Sequence, residues 1–167
     1  VAFGLEPLMT GLLMIPTVLG SLASKPLIRP IIQRFGYRHV LLVNTLLVGV
    51  CIASFALSTP STPTWILVSH FFIFGLLNSL QFVSMNTLTL KDLPQQDASS
   101  GNSFLSMIMM VSMSIGVALA GTLVNMFMAY YGSSHVLNAF HITLMCLGAI
   151  NLITALIFWQ IPKHTAV

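Results

Sequence analysis

The sequence predicts an all-α membrane protein with five transmembrane helices, on the basis of its charge content, its hydropathy and the distribution of its charges. Only 5% of the 167 residues are Asp, Glu, Lys or Arg, whereas about 25% of a soluble domain is charged. The mean hydropathy is +0.95. No charged residue lies between Arg38 and Lys91 or between Asp97 and Lys163. Each stretch is long enough for two helices of about 20 residues, the length that crosses a bilayer. Helices with so few charges would expose an apolar surface, which requires lipid around it.

Four polar or turn-forming breaks separate the apolar stretches. The first is the basic stretch between residues 25 and 39, and the second is residues 58–63, which are rich in proline and hydroxyl groups. The polar residues 92–97 form the third break, and residues 130–134 form the fourth. The predicted spans are residues 7–24, 40–57, 65–88, 102–128 and 139–161.

The placement of lysine and arginine predicts the orientation in the membrane. These residues lie in alternate breaks or after the last span: Lys25, Arg29, Arg34, Arg38, Lys91 and Lys163. With five spans, all of them lie on one side of the membrane. Because cytoplasmic loops carry the excess of Lys and Arg, we expect that side to be the cytoplasm, with the N-terminus outside and the C-terminus inside.

Several functional classes find no support in the sequence. The net charge of +3 is small and does not suggest nucleic-acid binding. The sequence contains no His/Cys cluster at metal-ligand spacing, no nucleophile–base arrangement and no glycine-rich phosphate loop. We therefore expect no enzymatic activity, no cofactor and no metal. The sequence opens at Val1 without an initiator methionine or a basic leader, so we expect a fragment whose N-terminal part is missing.

Two features of the spans predict helix packing and shape. Ser112, Gly116 and Ala120 recur at intervals of four in the fourth span, and small residues at that spacing let a neighbouring helix approach closely. The alternative is that Gly and Ala are simply common in such helices. Pro16 removes a backbone donor and predicts a kink in the first span. Such kinks can serve as gating points or can be tolerated shape.

The third span is the most polar, and it carries candidate side chains for a substrate cavity. Asn78 and Gln81 share a face, with Phe74 and Met85 along the same stripe. Amides can hydrogen-bond a solute without carrying a charge. The alternative is hydrogen bonding between helices, which is worth about 0.6 kcal/mol per contact in membranes. Both interpretations stay open at this point.

Methionines in the fourth span form a second group of cavity candidates. Met109 and Met113 carry thioethers that adapt to many apolar shapes, which would suit a cavity that accepts many solutes. The alternative is that methionine is ordinary filler in a membrane helix, and this is the more common case.

A short segment between the first two spans resembles the second-half loop motif of the major facilitator superfamily. That motif reads roughly Gly-x-x-x-Asp-Arg-x-Gly-Arg-Arg, and Arg34, Gly36 and Arg38 match it. Gln33 replaces the acid of the motif, and Arg29 stands where its leading glycine belongs. A charge relay through that acid is therefore not expected here, and a structural role for the loop is.

A longer resemblance joins the chain to the drug/proton antiporter branch of the same superfamily, whose members have fourteen spans. It is carried by residues 78–82, 84–94, 98–103 and 112–117 and continues through the whole chain. The resemblance implies that residues 1–167 belong to the C-terminal transmembrane bundle and that the N-terminal bundle is missing. It also implies that the first, third and fourth spans line a central cavity, and that the second and fifth face lipid.

The function that this resemblance implies is proton-coupled export of the multidrug type in a bacterial inner membrane, by alternating access between two bundles. The expected partners are the lipid bilayer, a small-molecule solute, protons and the missing N-terminal bundle of the same chain. Alternatives are an exporter of a specific small solute, such as an organic acid or a metal chelate, and a structural subunit of a membrane complex.

Overall fold

The computed structural model describes residues 7–59, 62–131 and 136–160, and these residues form an all-helical structure. Its helices are α1 (Pro7–Phe55), α2 (Thr64–Leu90), α3 (Ala98–Tyr131) and α4 (Val136–Trp159). All four are long and apolar enough to cross a membrane. The prediction of an all-α membrane protein is therefore confirmed at this level.

The predicted count of five helices is not matched, because four helices are found in the described residues. The first two predicted spans lie in α1, which also includes the basic stretch 25–39 that was predicted to be a loop. Up to Gly36 this stretch is helical because it is amphipathic. Ile28 and Ile32, four residues apart, are buried, while Lys25 and Arg29 are exposed, as in a helix with one apolar face.

The other predicted spans coincide with separate helices. Residues 65–88 lie within α2, and residues 102–128 lie within α3. The span predicted for residues 139–161 lies in α4 up to Trp159. Residues 132–134 of the fourth predicted break and Lys163 fall outside the described residues.

One residue interrupts the regular helix of α1. Gly36 has φ 73° and ψ 157°, a backbone conformation that is essentially restricted to glycine. It divides α1 into a first arm, residues 7–35, and a second arm, residues 37–55.

The two arms run in opposite directions along α2. On the first arm, Thr17 contacts Gly75 and Ser24 Oγ donates a hydrogen bond to Ser79 Oγ at 2.8 Å. Residue numbers increase together on the two helices, so this arm is parallel to α2. On the second arm, Asn44 donates a hydrogen bond to Gln81 at 2.8 Å and Ser54 contacts His70 at 2.9 Å. Residue numbers increase on this arm while they decrease on α2, so this arm is antiparallel to α2. The helix α1 is therefore folded back on itself at Gly36.

Distances along the helix axes support the same conclusion. In a straight helix, Ser24 and Asn44 would be about 30 Å apart, because each residue adds about 1.5 Å. Their partners on α2, Ser79 and Gln81, are only about 3 Å apart along that axis. Both contacts can form only if the chain reverses between them.

Glycines allow the backbones to approach closely at both interfaces of α1. A Cβ atom on Gly20 would collide with the Phe72 carbonyl oxygen, and one on Gly75 would collide with the Thr17 carbonyl oxygen. On the second arm, a Cβ on Gly148 of α4 would lie 3.0 Å from the Gly49 carbonyl oxygen. The second arm is thus held between α2 and α4.

The predicted small-residue face of α3 has no neighbour in the described part of the chain. Ser112 and Gly116 are exposed and Ala120 is half-buried, and no atom lies within 4 Å of the position of a Cβ on Gly116. The helix α3 packs chiefly against α4. Close packing of this face against another helix therefore stays a prediction. The predicted kink at Pro16 also stays a prediction, since Pro16 is buried within the helical first arm.

The contact between Gly75 and Thr17 predicts a stability loss for Gly75→Ala in the full-length protein. The added methyl group meets backbone atoms, which cannot move aside as a side chain can. We expect the free energy of unfolding to fall by about 1–3 kcal/mol, measured by thermal unfolding in detergent. The control is Gly11→Ala, since a Cβ there meets no described atom within 4 Å; this variant should be neutral or slightly stabilised. Equal losses in both variants would contradict the packing described here.

Candidate functional site

Gln81 faces the second arm of α1 and joins helices. Its Oε1 accepts a hydrogen bond from Asn44 Nδ2 at 2.8 Å, and its Nε2 donates to Thr45 Oγ1 at 2.8 Å. Asn44 Nδ2 also donates to the Leu77 carbonyl oxygen at 2.9 Å. Of the two interpretations of this residue, the geometry favours hydrogen bonding between helices.

A third helix joins the same polar group. Asn151 Nδ2 of α4 donates to the Thr45 carbonyl oxygen at 2.9 Å, and Thr45 Oγ1 donates to the Leu41 carbonyl oxygen at 2.7 Å. We call Asn44, Thr45, Gln81 and Asn151 the amide cluster. Asn44 and Thr45 are each only 2% exposed. Because an unpaired polar group costs several kcal/mol away from water, these bonds fix α2 and α4 on the second arm.

Three members of the amide cluster, Asn44, Thr45 and Asn151, were not predicted from the sequence. Asn44 lies in the second predicted span and Asn151 in the fifth, and the resemblance implied that both spans face lipid. Isolated polar residues in the middle of apolar spans were the available signal. A single amide in an apolar stretch does not reveal which neighbour it bonds, and that information comes only from the packing.

Asn78 has a different environment from Gln81, although the two are three residues apart. It is exposed and lies beside a pocket of about 310 Å³ between the first arm and α2. We call this pocket the neutral groove; it is lined by Thr17, Val18, Ser21, Gly75, Asn78, Ser79 and Phe82. The groove combines hydroxyl groups and an amide with an aromatic ring, and none of its described lining residues is charged.

The remaining cavity candidates do not line the neutral groove in the described structure. The Phe74 ring packs edge-on against Phe55, with ring centroids 6.1 Å apart. Met85 is exposed, and its sulfur accepts a weak hydrogen bond from Gln81 at 3.8 Å. On α3, Met109 is half-buried and Met113 is exposed. A cavity role for these four side chains stays a prediction.

A second pocket continues the same interface towards the Gly36 turn. It has a volume of about 570 Å³, and we call it the basic pocket. Its lining residues are Lys25, Ile28, Arg29, Ile32, Gln33, Tyr37, Val83 and Thr87. Along the first arm, Thr17, Ser21 and Lys25 recur at intervals of four, so one helix face carries both pockets.

The arginines of the loop motif flank Gly36 and lie outside the basic pocket. The Arg34 guanidinium is 5.8 Å from the centroid of the Phe35 ring, and the Arg38 guanidinium is 5.8 Å from that of Trp159. Arg38 therefore links the turn to the end of α4. These contacts fit the structural role that was predicted for the motif.

The apolar helices and the polar groove between them define a polytopic helical membrane protein. Residues 1–166 match the Major Facilitator Superfamily, and the chain belongs to that family. This confirms the resemblance that the loop motif and the longer segments carry. The family consists of transport proteins rather than enzymes, and a bacterial member of this kind is a multi-pass protein of the inner membrane.

Curated relatives cover nearly all of the chain. The alignments cover 99% of the chain, which is 45% identical to a Citrobacter koseri protein, 44% identical to an Escherichia coli protein and 42% identical to a Serratia proteamaculans protein. All three carry the name "Putative multidrug resistance protein MdtD". The chain spans 36% of the length of the first two and 35% of the third. No solved structure matches the chain.

The two amides on α2 should respond differently to replacement by leucine. Gln81→Leu removes bonds to Asn44 and Thr45 and leaves polar groups unpaired, so we expect the free energy of unfolding to fall by about 1–3 kcal/mol. Asn78→Leu removes no hydrogen bond that the structure describes, so its stability should stay within about 0.5 kcal/mol of the parent. Thermal unfolding of both variants in detergent tests this difference. A larger loss in Asn78→Leu than in Gln81→Leu would show that the assignment is wrong.

Proposed function

We propose that this chain belongs to the C-terminal bundle of a proton-coupled exporter of the multidrug type that works by alternating access. The observation that carries the proposal is the neutral groove between the first arm and α2, in a chain that belongs to the Major Facilitator Superfamily. Hydroxyl and amide groups beside an aromatic ring can hold amphipathic solutes of several shapes. The name of the relatives, "Putative multidrug resistance protein MdtD", supports the same solute class.

The proposed topology has five membrane crossings, two of them made by α1. The reversal at Gly36 supports this, because each arm is then available to cross the bilayer separately. The described cations also support it, since Arg29, Arg34 and Lys91 then lie on one side. By the positive-inside rule that side is the cytoplasm, which places the C-terminus there as well.

Alternating access needs a second bundle, since two bundles must rock about one site. The chain spans only about 36% of its relatives, and we propose that the N-terminal bundle supplies the opposite wall of the cavity. The close contacts of Gly20 with Phe72 and of Gly75 with Thr17, together with the amide cluster, would then let the first arm, the second arm, α2 and α4 move as one body.

No carboxylate lies within the four described helices. The carboxylates in the described residues are Asp92 and Asp97, and both lie in the connection between α2 and α3. An acid that takes up and releases a proton during transport has to be accessible from the cavity. We therefore assign the coupling acids to the N-terminal bundle, which fits the fourteen-span resemblance.

An exporter of a specific small solute, such as an organic acid or a metal chelate, is the second candidate. The neutral groove has no carboxylate among its described lining residues, so nothing in it is built to neutralise a lipophilic cation. Hydroxyl and amide donors can instead bond carboxylate oxygens. The lining favours neutral or anionic solutes within this part of the cavity, so a multidrug exporter of lipophilic cations would have to neutralise them with carboxylates of the N-terminal bundle.

Transport assays on everted membrane vesicles that contain the full-length protein test the proposal. With an imposed proton gradient, vesicles should accumulate lipophilic cations, and a protonophore should abolish the accumulation. Asn78→Leu should reduce the rate severalfold because it removes a polar group from the groove. The matched control, Asn138→Leu, alters an exposed asparagine on α4 outside the groove and should transport normally.

The alternatives give different results in the same assay. Gradient-dependent uptake of organic acids without uptake of cations would support the second candidate instead. Transport that ignores the proton gradient for every solute would contradict the antiporter proposal. A protein that transports nothing and copurifies with fixed partners would indicate a structural subunit.

A further inference from the structure

The basic pocket contains positive charge that nothing in the described structure neutralises. Lys25 and Arg29 are both exposed, and neither forms an ion pair or hydrogen bond with another described residue. No carboxylate is among the described lining residues. Lys91, which follows α2 and does not line the pocket, has its Nζ 5.8 Å from the centroid of the Tyr37 ring. The pocket is therefore an electrostatic site for an anion.

Part of the remaining lining is apolar, which a small soluble anion does not need. Ile28, Ile32 and Val83 are the apolar lining residues, and Gln33, Tyr37 and Thr87 add polar groups. The volume of about 570 Å³ is that of a site for a molecule larger than one phosphate group. A ligand that places an anionic group beside Lys25 and Arg29 and an apolar chain beside the isoleucines fits both parts.

We propose that the basic pocket binds an anionic phospholipid of the leaflet in which the Gly36 turn lies. Its phosphate would lie between Lys25 and Arg29, and an acyl chain would run along Ile28, Ile32 and Val83. Basic pockets between transmembrane helices bind anionic lipid head groups in this way. The inference does not depend on which solute is transported, because it concerns lipid binding at the turn rather than at the neutral groove.

A bound lipid would bridge two elements that meet near the turn. The cations belong to the first arm, whereas Val83 and Thr87 belong to α2. A lipid bound there would therefore add a contact between the first arm and α2 beside the buried cluster that Ile28, Ile32, Tyr37, Val40 and Leu80 form near the turn.

The test is thermal unfolding of the full-length protein in a neutral detergent, titrated with phosphatidylglycerol. We expect the unfolding temperature to rise with lipid concentration. Lys25→Gln and Arg29→Gln should each weaken the apparent affinity roughly fivefold, since each removes one cation that faces the phosphate. The matched control is Arg34→Gln, which removes an exposed cation that does not line the pocket and should leave the affinity unchanged.

The other outcomes overturn the proposal. An equal loss of affinity in Arg34→Gln would mean that diffuse surface charge binds the lipid. A rise with soluble glycerol phosphate as large as that with phosphatidylglycerol would assign the pocket to a soluble anion. No rise with phosphatidylglycerol would exclude the site. If a glutamine variant is unstable without lipid, Lys25→Arg keeps the charge and should keep the lipid response, and its loss would also count against the proposal.

Discussion

The backbone of Gly36 is the constraint on which the rest of the structure depends. At φ 73° and ψ 157° it adopts a backbone conformation that residues with a Cβ essentially never adopt, and it reverses the direction of α1. Only with this reversal can both arms lie on α2. The contacts of Gly20 with Phe72 and of Gly75 with Thr17 can then form together with the hydrogen bonds that join Gln81 to Asn44 and Thr45.

Polar side chains in these helices have two kinds of surroundings: some are hydrogen-bonded between helices, and others are exposed. In the amide cluster four hydrogen bonds join helices, and the groups that make them are uncharged, so no ion has to be moved out of water. In the neutral groove, Asn78 is exposed and bonds no described residue. One helix, α2, therefore contributes a structural amide on one face and an exposed amide on another.

Composition and hydropathy were enough to predict the helical membrane class and the positions of α2, α3 and α4. In lipid, every backbone group must bond within its own helix, so long apolar stretches leave little choice of structure. The loop motif also drew attention to Gly36. Its left-handed backbone conformation could not be read from the sequence, because glycine adopts many conformations equally well.

Prediction from the sequence was wrong or incomplete where two local signals competed, and where contacts between helices determine the role of a residue. Residues 25–39 carry charges and the prolines Pro26 and Pro30, which favour a loop, but Ile28 and Ile32 also form an apolar helix face, and burial of that face prevailed. The stripe of Asn78 and Gln81 was correctly located on one helix. The way in which α1 and α2 cross determines whether Asn78 or Gln81 points towards the second arm. Hydrophobic periodicity alone does not determine that crossing.

The distance between the two arms of α1 tests the central claim most directly. Spin labels at Leu19 and Val50, both exposed, would be placed in the full-length protein after replacement of its native cysteines, and the distance measured by pulsed electron paramagnetic resonance in lipid. A helix folded at Gly36 places both labels beside the same part of α2 and predicts a distance below about 30 Å, given helix diameters of about 10–12 Å. A distance near 47 Å, roughly that of an uninterrupted helix between these positions, would contradict the account.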